Sequence, residues 1–191
     1  MSTEHAVTNP MPDTRQPDNP SSAPRRIVLT GFMGSGKSTV GPIVAARLGW
    51  TFLDLDNVIE ADAGMPVAGI FAQFGETHFR DLEHAAVVRL AAQSSLVLAL
   101  GGGAIERAAT RQLLRTSSQT LLVHLQVELE TTLARCAGTE AVRPVLADHA
   151  NLLDRYARRL PLYQCAHVSI PVDALTPNQA ADAVVRAAQS L

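Results

Sequence analysis

Three features of the sequence predict an α/β protein whose parallel sheet is covered by helices on both faces. Short apolar, β-branched runs alternate with longer stretches of helical periodicity. The first such run, Arg26-Ile27-Val28-Leu29-Thr30, leads directly into Gly31-Phe32-Met33-Gly34-Ser35-Gly36-Lys37-Ser38-Thr39. That string fits G-x-x-x-x-G-K-[ST], and the helical pattern behind it stops at Gly49. Strand, glycine loop and helix therefore stand in the order a phosphate cradle requires. The chain has 191 residues, 47% of them apolar and 18% charged. This suits one domain with a sizeable core and is too short for two ordinary ones.

The strands are expected at Arg26–Thr30, Thr51–Leu55, Leu96–Leu100, Thr120–Gln126 and His167–Val172. Helical spacing places helices at Lys37–Leu48, Asp56–Ala63, Val67–Phe74, Glu76–Gln93, Glu106–Thr116, Glu128–Cys136 and Leu152–Gln164. A last helix, Pro177–Gln189, starts with Thr176 as N-cap and Pro177 at the first helical position. Pro42 falls just past the first turn of the helix behind the glycine loop. It should kink that helix or leave the Ser38 carbonyl to water. Residues 138–149 are polar, contain Pro144 and lack either period, which reads as a mobile lid. Residues 1–24 are rich in Pro, Ser, Thr and Asp and read as a disordered tail.

Charge and composition exclude several classes. A net charge of −2 argues against a nucleic-acid binder, and no apolar run is long enough to span a membrane. The tail has no apolar segment of the secretory kind. Cys136 and Cys165 read as free thiols of a reducing compartment, so a cytoplasmic protein is expected, and a monomer.

The glycine loop calls for a nucleoside triphosphate. Backbone N–H groups and the helix N-terminus face the phosphates, Lys37 reaches the β- and γ-phosphates, and the Ser38 hydroxyl ligates Mg²⁺. A GTPase would add D-x-x-G and N-K-x-D strings, which the sequence lacks. It has instead Phe52-Leu53-Asp54-Leu55-Asp56, with two carboxylates at the carboxyl end of the second strand, where open α/β sheets bind ligands. The pair suits a metal and a substrate, although Asp56 alone could cap a helix. In Phe79-Arg80-Asp81-Leu82-Glu83, the i, i+3 spacing lets Glu83 hold Arg80 against an anion, or forms a plain surface pair. Gly101-Gly102-Gly103-Ala104 ends a buried strand, and backbone access to a ligand is a reason for three glycines. Arg143-Pro144-Val145-Leu146 puts an arginine in the lid, and Arg158-Arg159-Leu160-Pro161-Leu162-Tyr163 puts two late in the chain.

In this order the set G-F-M-G-S-G-K-S-T, F-L-D-L-D, F-R-D-L-E, G-G-G-A, R-P-V-L and R-L-P-L-Y resembles shikimate kinase, from Arg26 to the C-terminus. The resemblance implies a three-layer, adenylate-kinase-like P-loop fold with a five-stranded parallel sheet, in a kinase domain of residues 25–191. It implies transfer of the ATP γ-phosphate to the 3-hydroxyl of shikimate, with Mg²⁺, on the way to chorismate. Gly34, Ser35, Gly36, Lys37, Ser38 and Thr39 then form the nucleotide cradle. Asp54 supports the metal through water. Asp56 meets the substrate hydroxyls and takes the proton; Arg80, Gly102 and Arg159 hold shikimate. Arg143 reaches the phosphates from the lid, and Arg135 packs against adenine. The alternatives are another P-loop small-molecule kinase, such as a gluconate kinase, and a sensor module that has lost catalysis.

Overall fold

A computed structural model describes residues 23–137 and 149–190, with His149 and Ala150 as backbone only. The tail up to residue 22, and the expected lid up to residue 148 with its Arg143, lie outside the described residues. Five strands, β1 (Arg26–Thr30), β2 (Thr51–Asp54), β3 (Leu96–Ala99), β4 (Thr120–Gln126) and β5 (Val168–Pro171), form one sheet in the order β2-β3-β1-β4-β5. Every neighbouring pair is parallel. Parallel strands need long crossovers, and here helices provide them. They are α1 (Lys37–Leu48), α2 (Leu55–Ala63), α3 (Val67–Leu90), α4 (Ala108–Thr116), α5 (Leu129–Cys136), α6 (His149–Tyr163) and α7 (Pro177–Gln189).

Side chains alternate across the inner strands and build one core on each face of the sheet. On one face Ile27 and Leu29 of β1 join Leu121, Val123 and Leu125 of β4 beneath Val44 of α1 and Ala181 and Val184 of α7. On the other, Val28, Leu98 and Leu122 meet Ile59 of α2, Ile70 and Val87 of α3, and Leu114 of α4. All five residues of β1 are buried, as expected of a strand covered on both sides. Among the described residues no helix is long and apolar enough to cross a membrane.

Local chemistry sets several boundaries. The α7 start follows the expectation: the Thr176 hydroxyl accepts from Gln179 N–H while Pro177 takes the first helical position. The expected break between Phe74 and Glu76 appears as a kink inside α3, where Gly75 adopts φ 80°, ψ 173°. That backbone state is open to glycine and closed to most other residues. Other expectations shift. The structure ends β2 at Asp54, whose side chain accepts from Asp56 N–H and caps α2. Asp54, not Asp56, is therefore the capping residue, and the helix opens at Leu55, one residue before the expected start at Asp56. The helix expected from Glu106 is a 3-10 turn (Ala104–Glu106) followed by α4. α1 runs from Lys37 to Leu48 through Pro42, which is solvent-exposed, so the proline does not end the helix.

Candidate active site

The carboxyl ends of β1, β2 and β3 open into one cleft of about 1370 Å³. After β1, the backbone curls and α1 begins with Gly36 as its N-cap at φ 90°. Lys37 bends back over this loop. Its Nζ donates to Gly31 O at 2.7 Å, Phe32 O at 3.0 Å and Ser35 Oγ at 3.3 Å. Oxygen acceptors thus hold the ammonium beside the cradle that Gly34, Ser35, Gly36, Ser38 and Thr39 line. The Ser38 hydroxyl donates to Asp54 Oδ2 at 2.8 Å. Two hard oxygen donors, one from α1 and one from β2, thereby stand together at the mouth of the loop.

Arg135, on α5, closes the other side of the loop. Its guanidinium donates to Gly34 O at 3.2 Å, Val172 O at 2.8 Å and Asp173 O at 3.2 Å. These contacts tie the glycine loop to the segment after β5, whose Val172, Leu175 and Pro177 give the cleft an apolar wall.

Charge dominates the far half of the cleft. Arg80 of α3 donates to Glu83 Oε2 at 2.8 Å and to Glu76 Oε1 at 2.9 Å. Glu83 is only 2% exposed, which excludes the plain surface pair. Burial raises the Glu83 pKa to about 7 in spite of Arg80. Burial and then the charge of Asp54 also raise that of Asp56. Glu83 Oε1 and Asp56 Oδ1 are buried with no hydrogen-bond partner among the described residues. Both point at the same glycine. A Cβ on Gly101 would lie 2.7 Å from Asp56 Oδ1 and 2.8 Å from Glu83 Oε1.

The other two glycines have matching occupants. A Cβ on Gly102 would lie 3.2 Å from Arg159 Nη1, and one on Gly103 would stand 2.5 Å from the central carbon of the Arg80 guanidinium. The three glycines therefore make room for side chains; backbone access to a ligand is not needed to explain them. Asp56, Arg159 and Arg80 arrive from α2, α6 and α3 and seat in sequence along Gly101–Gly103.

Three residues to which the sequence assigns no role support this row. Glu106, on the 3-10 turn, accepts from Arg159 Nε at 2.6 Å. Burial works to raise its pKa, but the hydrogen bond and charge of Arg159 prevail and hold it low. Arg155 lines the same cleft one turn before Arg159. Tyr163 donates to Gly102 O at 3.3 Å, and its ring stacks on His124 with 4.7 Å between centroids. Burial, and then Lys37, push the His124 pKa down to about 4, so that ring is neutral. No local pattern marks Glu106, which is 53 residues from its partner; Arg155 was visible only as one more charge on a helical stretch.

A triphosphate-type cradle and a carboxylate–arginine row, facing each other at one sheet edge, define a P-loop small-molecule kinase. Comparison with known proteins narrows the class. The family model described as shikimate kinase matches residues 33–189. A shikimate kinase of Moorella thermoacetica is 46% identical over 155 residues, covering 78% of this chain and 86% of that one. One of Salinibacter ruber is 41% identical over 164 residues, covering 78% of each. The structure of the Acinetobacter baumannii shikimate kinase in complex with shikimate superposes with a TM-score of 0.80 at 34% identity, covering 87% of this chain and 94% of that one. The chain belongs to the shikimate kinase family.

Proposed function

We propose that the cleft moves the γ-phosphoryl group of ATP onto the 3-hydroxyl of shikimate, yielding shikimate 3-phosphate and ADP. The chain is an ATP-dependent shikimate kinase, a transferase of aromatic amino acid biosynthesis. One observation carries the site assignment: the row along Gly101–Gly103 runs from the carboxylates of Asp56 and Glu83 to the guanidinium groups of Arg159 and Arg80. Shikimate has the complementary polarity, with hydroxyls to meet Asp56 and a carboxylate to meet Arg80 and Arg159.

The remaining roles follow from position. Gly34–Thr39 cradle the phosphates, and Lys37 exchanges its backbone carbonyl partners for phosphate oxygens. Ser38 and Asp54 fit Mg²⁺, a hard cation that takes few protein ligands and completes its shell with water and phosphate. When bound, the ion neutralises the charge on the transferring group. Asp56 accepts a hydrogen bond from the attacking hydroxyl and takes its proton as the new P–O bond forms, and its raised pKa suits that task. Arg135 with Val172 and Leu175 form the slot for adenine. Residues 138–149 serve as the lid that carries Arg143 to the phosphates. The kinase domain spans residues 25–191 and works as a cytoplasmic monomer, with 1–24 as an appended tail.

A coupled assay offering shikimate and gluconate separately tests the acceptor. Turnover on shikimate and none on gluconate is expected. Turnover on gluconate alone would overturn the reading.

A further inference from the structure

Only part of the Arg159 guanidinium is open to a substrate. The side chain is 5% exposed, and its guanidinium lies 6.0 Å over the Phe32 ring. A guanidinium can grip a carboxylate by its Nε–Nη2 side or by its Nη1–Nη2 end. Glu106 Oε1 occupies the first, 2.6 Å from Nε, and also lies 3.4 Å from Arg158 Nη2. Nη1 faces Gly102, and among the described residues neither η nitrogen has a hydrogen-bond partner.

Glu106 is itself held rigidly. Its N–H bonds Gly103 O at 2.9 Å, which ties its turn to the glycine run. Arg111 Nη1 donates to both Ile105 O and Glu106 O at 2.7 Å, which fixes the same turn from the other side. Arg155, Arg158 and Arg159 follow one another closely along α6, and Glu106 pairs with two of them. Without it, the Nε side of Arg159 would lack its acceptor and stand open beside the Nη1–Nη2 end.

We propose that Glu106 is a positioning residue for acceptor recognition, engaging Nε of Arg159 so that the Nη1–Nη2 end is committed to the substrate's carboxylate. It thereby sets the preference for a carboxylate-bearing acceptor. The proposal rests on reading Arg159 as a carboxylate-binding residue.

The test measures steady-state kinetics on shikimate and on its carboxamide for Glu106→Ala, Glu106→Gln and Arg159→Ala. Losing a charge-assisted hydrogen bond predicts a shikimate KM about tenfold or more higher in Glu106→Ala. The kcat and the KM for ATP should stay within about twofold of wild type, the scatter expected when only acceptor binding changes. The preference for carboxylate over carboxamide should fall by about the same factor as KM rises. Glu106→Gln, whose amide oxygen still accepts from Nε, should recover most of the loss. If the alanine variant does not fold, Glu106→Met, which fills the space without an acceptor, is judged by the same values. Unchanged or tighter shikimate binding, or equal losses on acid and amide, overturns the proposal. Arg159→Ala separates the two levels. A raised shikimate KM there with silent Glu106 variants refutes the Glu106 role alone, and an unchanged KM refutes the reading of Arg159 as well.

Discussion

The two halves of the cleft are built in different ways. The phosphate half is a run of nine consecutive residues, Gly31 to Thr39, in which backbone and helix terminus present most of the donors and Lys37 rests on neighbouring carbonyls. The acceptor half draws Asp56 from α2, Arg80 and Glu83 from α3 and Arg159 from α6 onto three glycines, with Glu106 of the 3-10 turn holding Arg159. One is a local conformation and the other a tertiary assembly of buried charge. A local cradle binds any triphosphate, whereas selectivity for an acceptor needs side chains fixed by distant partners. The two halves should therefore fail separately.

The largest effect is expected in the phosphate half. Lys37→Met should lower kcat by roughly a thousandfold, the scale for losing a preorganised charge at the transferring group. Shikimate affinity, measured by calorimetry, should be unchanged. A comparable loss of shikimate binding would mean the halves are coupled. Next comes Gly103→Ala, whose methyl group would stand against the Arg80 guanidinium. Overpacking of about 1–3 kcal/mol predicts a shikimate KM about five- to hundredfold higher with the KM for ATP unaltered. A variant with wild-type kinetics would show that Arg80 yields easily and that the glycine has another purpose.

A smaller effect concerns stability. Burial holds the Glu83 pKa at about 7, above its ordinary 4.5. Between those values the native state binds more protons than the unfolded state. The contribution of Glu83 is therefore fully present below pH 4.5 and is lost as pH rises through 7. Glu83→Gln should remove this dependence, so that wild type loses up to about 3 kcal/mol relative to the variant between pH 5 and 8. Urea unfolding at the two pH values checks it. A constant difference would mean that Glu83 is ionised throughout.

What the sequence reveals follows the same division. The P-loop is contiguous, so its strand, loop and helix could be read directly, and the alternation of apolar runs gave the layered sheet. The break at Gly75 was equally legible, because glycine interrupts two helical patterns. Gly101–Gly103 announced a requirement without its cause, since their occupants come from α2, α3 and α6. The two carboxylates at the end of the second strand are legible, but which of them caps the helix is not: Asp54 is the cap, because the strand stops one residue early. Glu106 stayed invisible: nothing within a few residues of it signals a partner on α6.

The separation of the two halves is tested most directly at Asp56, which belongs to the acceptor row but lines the cleft shared with the nucleotide. Kinetics and ATP calorimetry on Asp56→Asn should show most turnover lost and ATP affinity nearly intact. Equal loss of turnover and of ATP binding would contradict the account.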